Sequence, residues 1–249
     1  MPENPFFKKF ADEYSKSKSH KMGRDLIILD EMINNGANNC LDVATGTGFT
    51  ALELSKKCKS VLAIDQTQSM INKAKDLIDS KGIHNVNFLT TDFENFESRL
   101  KYDIITIRRA LHHFKYKDIF FKKCNEILNM NGNLIIVDML SPENDFQDLF
   151  NKLETLRDKT HIGALKEKDY EDYFQKFGFK DIDKKIVVED LSFSEWLYPI
   201  KENSEIASQC LNFLNNLGAD DLKIIGYDKD NKIIHKSRII VKAEKIKEI

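Results

Sequence analysis

The stretch Leu41-Asp42-Val43-Ala44-Thr45-Gly46-Thr47-Gly48-Phe49-Thr50-Ala51 constrains this chain more than any other part of it. An apolar run, Cys40–Ala44, stops at two closely spaced glycines, and Phe49, Ala51, Leu52, Leu54 and Cys58 then recur at helical spacing. A short apolar run bounded by turn residues is the form of a strand buried on both faces, so the pattern reads as strand, tight turn, helix. Glycines at such a turn let the backbone bend sharply and approach a ligand that side chains would block. The first amides of the following helix are then free to donate to that ligand. The Gly-x-Gly-x-x-Ala spacing alone also fits a dinucleotide site, so the glycines do not choose a nucleotide.

The alternation continues along the chain. A second strand is expected at Val61–Asp65, a helix through Met70, Ile71, Ala74, Leu77 and Ile78 that stops near Gly82, and a third strand at Val86–Thr90. Tyr102–Ile107 reads as a fourth strand and Leu134–Asp138 as a fifth, with a helix through Phe120, Cys124, Ile127 and Leu128 closed by Asn131-Gly132. Strands separated by helices imply right-handed crossovers and a parallel sheet covered on both faces. Before this core, Leu26–Ile33 reads as an amphipathic helix, preceded by an aromatic-bearing arm. Beyond Pro142, helical spacing recurs through Phe146–Leu156 and Tyr170–Phe177; Val187–Val188 marks a sixth strand, and Ser194–Leu217 a helical stretch broken at Pro199. Leu222–Tyr227 and Ile233–Ala243, separated by Asp228-Lys229-Asp230-Asn231, read as a terminal β-hairpin. The expected architecture is one α/β domain over residues 1–249: arm and helix at 1–36, cofactor-binding core at 37–140, helical insertions and sixth strand at 141–220, hairpin at 221–249. Its sheet would be Rossmann-like, mostly parallel and seven-stranded, with a C-terminal antiparallel strand and an inserted helical lid.

Composition narrows the partners. The net charge is −2, and no basic block stands out apart from the mixed tail Lys242–Ile249, whereas phosphate binding normally leaves a concentrated Lys/Arg footprint. No nucleic-acid partner is expected, and a small-molecule substrate is the better fit. Cys40, Cys58, Cys124 and Cys210 are widely spaced with no Cys-x-x-Cys pair, which reads as reduced, buried thiols. No run of apolar residues is long enough for a membrane span, and no signal peptide is evident, so the cytoplasm is the expected compartment. Oligomeric state leaves no trace in this sequence.

Several polar residues fall where strands of such a sheet end. Asp42 stands beside the glycine turn, where a carboxylate would repel a pyrophosphate but suits an ammonium group, directly or through water; as an alternative it caps the helix. Asp65 ends the second strand 17 residues after Gly48, close to the offset of a ribose-binding acid. Gln66 and Met70 follow where they could flank an adenine, although Met70 serves equally well as core. Asp92-Phe93 closes the third strand and could meet the adenine amino group, with helix capping as the alternative for Asp92. After the fourth strand comes Arg108-Arg109-Ala110-Leu111-His112-His113-Phe114, on the edge where open α/β sheets bind ligands. Adjacent histidines diverge and no Glu-x-x-His partner is near, so no metal site is expected; one of them could position or deprotonate a substrate.

With these residues in view, residues 20 to 245 resemble the class I S-adenosylmethionine-dependent methyltransferases. Within them the chain is similar to the branch around the ubiquinone/menaquinone-biosynthesis C-methyltransferases and its bacterial relatives. The resemblance implies S-adenosyl-L-methionine as cofactor and methyl transfer to a small-molecule acceptor. It implies that Asp42, Ala44, Gly46 and Gly48 form the family's glycine motif and that Asp65 is the ribose acid. Asp92 and Phe93 would then contact adenine, and the backbone of Arg108 would meet the methionine end. The terminal hairpin is similar to the family's reversed last strand. The stretch after the fourth strand departs from that of the quinone-pathway enzymes, and the motif has two glycines where some members have three. Acceptor-side residues are expected from the arm (Tyr14, His20), from His113, and from the insertions (Arg157, His161, Trp196), with His113 and His20 as catalytic candidates. A cationic, aromatic-bearing lid of this kind suits a planar or anionic molecule. Two alternatives stay open: a nicotinamide-dependent oxidoreductase, which Gly46, Gly48, Ala51 and Asp65 would also serve, and a non-catalytic binding module on the same fold.

Overall fold

Successive residues of β1 (Ala37–Val43) pack into opposite layers, Cys40 against one and Leu41 and Val43 against the other. The same alternation holds in β4 (Tyr102–Arg108) and β5 (Leu128–Met139), where Ile105, Ile107, Leu134 and Ile136 face one side and Ile104, Ile135 and Val137 the other. Strands covered on both faces must be apolar throughout, which is why they read as unbroken apolar runs. This computed structural model describes residues 5–249; the first four residues of the N-terminal arm lie outside the described residues.

The sheet runs β3 (Val86–Thr90), β2 (Cys58–Asp65), β1, β4, β5, β8 (Ile233–Lys245), β6 (Phe179–Ser192), with a two-residue β7 (Tyr227–Asp228) beside β8. β1 to β5 pair in parallel, and β8 runs antiparallel between β5 and β6. Helices α3 (Arg24–Met32) and α4 (Phe49–Lys57) cover one face; α6 (Lys117–Ile127) and α8 (Glu167–Lys176) cover the other. A separate apolar cluster joins α7 (Leu149–Arg157), α9 (Phe193–Leu197), α10 (Glu205–Asn215) and α11 (Ala219–Ile224) into a helical lid. The arm forms α1 (Pro5–Lys16) and α2 (Lys18–Met22), and Asp12 pairs with Lys73 of α5 (Gln68–Ser80).

Three expectations are corrected. The first arm of the terminal hairpin is helical: Leu222 and Ile225, three residues apart, turn together into the lid cluster, and Asp220 and Asp221 occupy the helix's first turn. Only Tyr227 and Asp228 pair with β8, opposite Ile234 and Ile233. The α6 helix ends at Ile127, before Asn131-Gly132; strand pairing already begins at Leu128, and Asn131 adopts a left-handed conformation where the β4–β5 register shifts. Cys40 and Cys58 form a disulfide, their Cα atoms 6.5 Å apart, because parallel pairing of β1 with β2 brings together residues 18 apart in sequence. Cys124 and Cys210 are free and buried. Among the described residues, no helix is long and apolar enough to cross a membrane, and no cluster of three or more His, Cys, Asp or Glu could hold a metal.

Candidate active site

The strand order reverses between β1 and β4, and a crevice opens there beyond the carboxyl ends of the parallel strands. It holds a cavity of about 270 Å³ lined by Ala44, Gly46, Asp65, Gln66, Met70, Asp92, Phe93 and Arg108, eight of the residues singled out in the sequence.

The turn after β1 carries three left-handed residues, Ala44 (φ 53°), Gly46 (φ 54°) and Gly48 (φ 89°). The glycines have different duties. A methyl group at Gly46 would meet nothing within 4 Å, so its backbone is bare to the cavity. One at Gly48 would lie 2.9 Å from Cβ of Ala74, so this glycine lets the start of α4 press against α5 and forms no part of the cavity wall.

Asp65 stands at the end of β2. Its Oδ2 accepts the Gly46 amide at 2.9 Å and its Oδ1 the Thr67 amide at 2.8 Å, which fixes the carboxylate and leaves each oxygen a lone pair. Burial raises its pKa against those two amides. Asp42 lies beneath the turn, off the cavity wall. The Thr106 hydroxyl donates to its Oδ1 at 2.7 Å, while Oδ2 is buried without a partner. Burial pushes this carboxyl up to about 6, with the Thr45 and Thr106 hydroxyls and Arg108 pulling it back. Asp92 has the capping duty considered for it: its Oδ1 accepts the Glu94 amide at 3.0 Å, capping the short turn Phe93–Asn95, and its side chain also lines the cavity.

Arg108 ends β4, and its guanidinium is bound bidentately by Asp25 at 2.9 and 3.0 Å. Arg109 binds the same carboxylate at 2.8 and 2.9 Å. This buried acid, whose pKa the two arginines hold far below the carboxylate range against burial, ties the start of α3 to the cavity edge. The Arg-Arg pair is visible in the sequence. Asp25, 83 residues away, carries no local signal.

A second cavity, of about 510 Å³, lies between the arm, the lid and the end of the sheet, with Arg157, Trp196, Lys236 and Arg238 on its wall. Phe7, Tyr14, His20, Arg109 and His113 line both cavities, so they mark the junction. His113 Nδ1 is 3.0 Å from the Thr160 carbonyl; a carbonyl only accepts, so Nδ1 carries the proton and Nε2 keeps its lone pair. Burial, then neighbouring His112, hold His113 down to about 3. His20 is also kept neutral, first by burial and then by Arg109, Arg108 and Arg238, while burial pushes the Tyr14 phenol up to about 12. His112, on the second wall, is bound through Nδ1 to Asp138 at 2.6 Å. His161 lines neither cavity: its Nε2 bonds to Asn151 Oδ1 at 2.8 Å behind His112. Lys236 and Arg238 were missed in the sequence, because nothing near them in the chain announces a site; Asp138 was missed as a site residue although it stands at the expected end of the fifth strand, the signal that marked Asp65.

Residues 34–178, more than half of the chain, match the family described as a methyltransferase domain. The chain belongs to the class I methyltransferase family. This methyltransferase-family chain is 29% identical to the uncharacterised methyltransferase YcgJ of Bacillus subtilis (strain 168) over 209 residues, covering 82% of this chain and 78% of that one. It is 26% identical over 176 residues to the ubiquinone/menaquinone biosynthesis C-methyltransferase UbiE of Rickettsia prowazekii, covering 65% of this chain and 70% of that one. Among solved structures, BH2331 of Bacillus halodurans C-125 aligns with a TM-score of 0.82 at 26% identity, covering 90% of this chain and 100% of that one. YcgJ itself aligns with a TM-score of 0.79 at 23% identity, over 90% of this chain and 98% of that one. The expected fold class is met, with a two-residue eighth strand added.

Proposed function

We propose that this protein transfers the methyl group of S-adenosyl-L-methionine to a small-molecule acceptor held in the second cavity. One observation carries the reading: the crevice that holds Asp65 and Asp92 and a larger chamber share a wall made by Phe7, Tyr14, His20, Arg109 and His113. When bound, the cofactor supplies a methyl group already activated on a sulfonium, so the protein has mainly to bind, align and exclude water. The residues present fit it. Asp65 has two fixed oxygens with lone pairs for the ribose hydroxyls, Gln66 and Met70 would flank the adenine, and Asp92 and Phe93 would close the pocket around it. Asp42 keeps a buried, unpartnered oxygen under the turn, suited to the amino group of the methionine tail through a water molecule. The backbones of Ala44, Gly46 and Arg108 serve that same end.

At the junction, neutral His113 and His20 can accept a proton from the acceptor, and Tyr14, with its raised pKa, stays a donor. His112, oriented by Asp138, is a third candidate base on the acceptor side. Calorimetry with S-adenosylhomocysteine, set beside titration with NADH, tests the reading. Micromolar binding of the first and none of the second is expected; the reverse overturns it.

A further inference from the structure

We propose that the methyl acceptor is an oxyanion-bearing small molecule, its carboxylate or phosphate held by Arg157, Lys236 and Arg238 in the second cavity. This rests on the reading of that cavity as the acceptor's.

The charges on its wall do not balance. Glu154 Oε2 takes Arg157 at 3.0 and 2.8 Å, and its Oε1 takes Lys236 at 2.6 Å and the Trp196 indole at 2.9 Å. Glu189 takes Arg238 at 2.7 Å and reaches Arg109 at 3.5 Å, while Asp25 is saturated by Arg108 and Arg109. Three carboxylates therefore serve five buried or nearly buried cations. Asp158 accepts the Thr160 amide and hydroxyl at 2.8 and 2.7 Å, and Asp138 adds a further carboxylate behind His112. On the wall itself, however, Arg109, Arg157, Lys236 and Arg238 stand against Asp158 and Glu189. Lys16 and Lys18, against Glu195, add to the excess at the rim.

Glu154 and Glu189 are each shared between two cations, so positive charge exceeds negative on the wall itself, and an anion entering the chamber offsets it. The groups already register this field: Lys236 is held down to about 8, first by burial, with Arg157 and Arg238 opposing the pull of Glu154. Arginines bind carboxylate and phosphate through two parallel hydrogen bonds, so the wall has suitable donors as well as charge. Apolar and aromatic side chains stand among the serines and histidines of the same wall. Trp196 lies 5.4 Å from the Arg157 guanidinium, and Met139, Leu191, Phe7 and Tyr14 complete a surface for a flat body reaching back to the junction. An acceptor anchored by its anion at the lid would thus present its other end to the cofactor crevice.

The test uses the full-length protein saturated with S-adenosylhomocysteine and titrated with matched probes: benzoate against benzamide, and 4-hydroxybenzoate against 4-hydroxybenzamide. The acid of each pair should bind at least tenfold more tightly. Its affinity, and not the amide's, should fall as sodium chloride rises from 20 to 500 mM (roughly the range over which screening takes hold). Arg157→Gln should abolish the preference while leaving S-adenosylhomocysteine affinity unchanged, which also shows that the variant is folded. Equal affinity for acid and amide, a preference indifferent to salt, or no binding by either probe overturns the proposal. Repeating the titrations without S-adenosylhomocysteine separates the two readings: an acid preference that persists in a protein unable to bind that ligand overturns only the cofactor assignment.

Discussion

Asp138 grips His112 through both carboxylate oxygens: Oδ1 accepts from Nδ1–H at 2.6 Å and Oδ2 from the backbone amide at 2.8 Å. Oδ1 also accepts the Met139 amide at 2.8 Å. Burial opposes the charge, but His112 and these hydrogen bonds prevail and keep the carboxyl below its usual pKa. The imidazole is thereby oriented with Nδ1–H on the carboxylate and Nε2 as its free ring nitrogen.

Removing the carboxylate strands two buried amides at the end of β5 and frees the ring. Asp138→Ala should lower the unfolding free energy by roughly 2–4 kcal/mol, the sum of donors left unsatisfied. Urea unfolding measures this. A loss under about 0.5 kcal/mol, the size of an ordinary surface change, would mean that the carboxylate does not hold His112.

The division of labour within the glycine turn has its own consequence. Gly48→Ala meets both a left-handed backbone and a collision with Ala74, and should destabilise the protein by roughly 2–4 kcal/mol. Gly46→Ala meets only the backbone penalty, about 1 kcal/mol, and its methyl would enter the cavity. Gly46→Ala should therefore weaken S-adenosylhomocysteine binding more than it lowers the melting temperature. Equal stability losses in the two variants would contradict this.

Asp65→Ala should weaken S-adenosylhomocysteine binding by roughly 1.5–3 kcal/mol, the range for hydrogen bonds to a charged group. Because the same carboxylate also holds the Gly46 and Thr67 amides, Asp65→Asn is the cleaner comparison and should show a smaller loss of stability. Calorimetry checks both, and unchanged affinity would place the ribose elsewhere.

The crevice at the strand-order reversal was legible in the sequence because its determinants are local. The turn from Ala44 to Gly48 sits in one short segment, Asp65 and Arg108 each end a strand whose apolar run is self-announcing, and Asp92 follows the third strand by two residues. The second cavity was legible only in part. Tyr14, His20, His113, Arg157 and Trp196 do face it, but what makes it cationic is pairing across the fold. Glu154 meets Lys236 from 82 residues away, and Glu189 meets Arg238 from the neighbouring strand. Charges paired over such distances look in a sequence like ordinary surface charges. The first arm of the expected hairpin failed for a related reason: Leu222–Tyr227 contains both an apolar run and a helical spacing, and the lid cluster decides between them. Cys40 and Cys58 have no motif spacing, and only the parallel register reveals their closeness.

Asp42 gives a prediction with a definite sign. Its pKa rises from 3.8 to about 6 on folding, so the folded state binds this proton more tightly than the unfolded chain. The associated stability is fully present below pH 3.8 and is lost as pH rises to about 6. At pH 7.5 the ionised, buried Asp42 is thus a burden of order 1–3 kcal/mol. Asp42→Asn should raise the melting temperature of the ligand-free protein at pH 7.5, with the gain fading toward pH 4, and should weaken S-adenosylhomocysteine binding about tenfold. A variant that loses stability and keeps its affinity would make Asp42 a purely structural residue.

The histidines run the other way. His113 is held down to about 3 and His161 to about 4, each first by burial, and His20 is held well below 6.5 by burial and three arginines. A histidine with a depressed folded pKa contributes stability that is present above about 6.5 and lost as pH falls toward the folded value. Each such group adds up to about 1.4 kcal/mol per pH unit between those limits. His161 is enclosed and should count nearly in full, whereas His20 and His113 face the cavities, where water softens the effect. Near pH 5, three sites that take up protons on unfolding outweigh the protons that Asp42 and Asp65 release. Urea midpoints should therefore fall steadily from pH 6.5 to 4.5, and His161→Gln should flatten the slope by about one proton's worth. A midpoint that holds constant over that range would show that these rings are already charged in the folded protein, and none of them could then serve as a base at the junction.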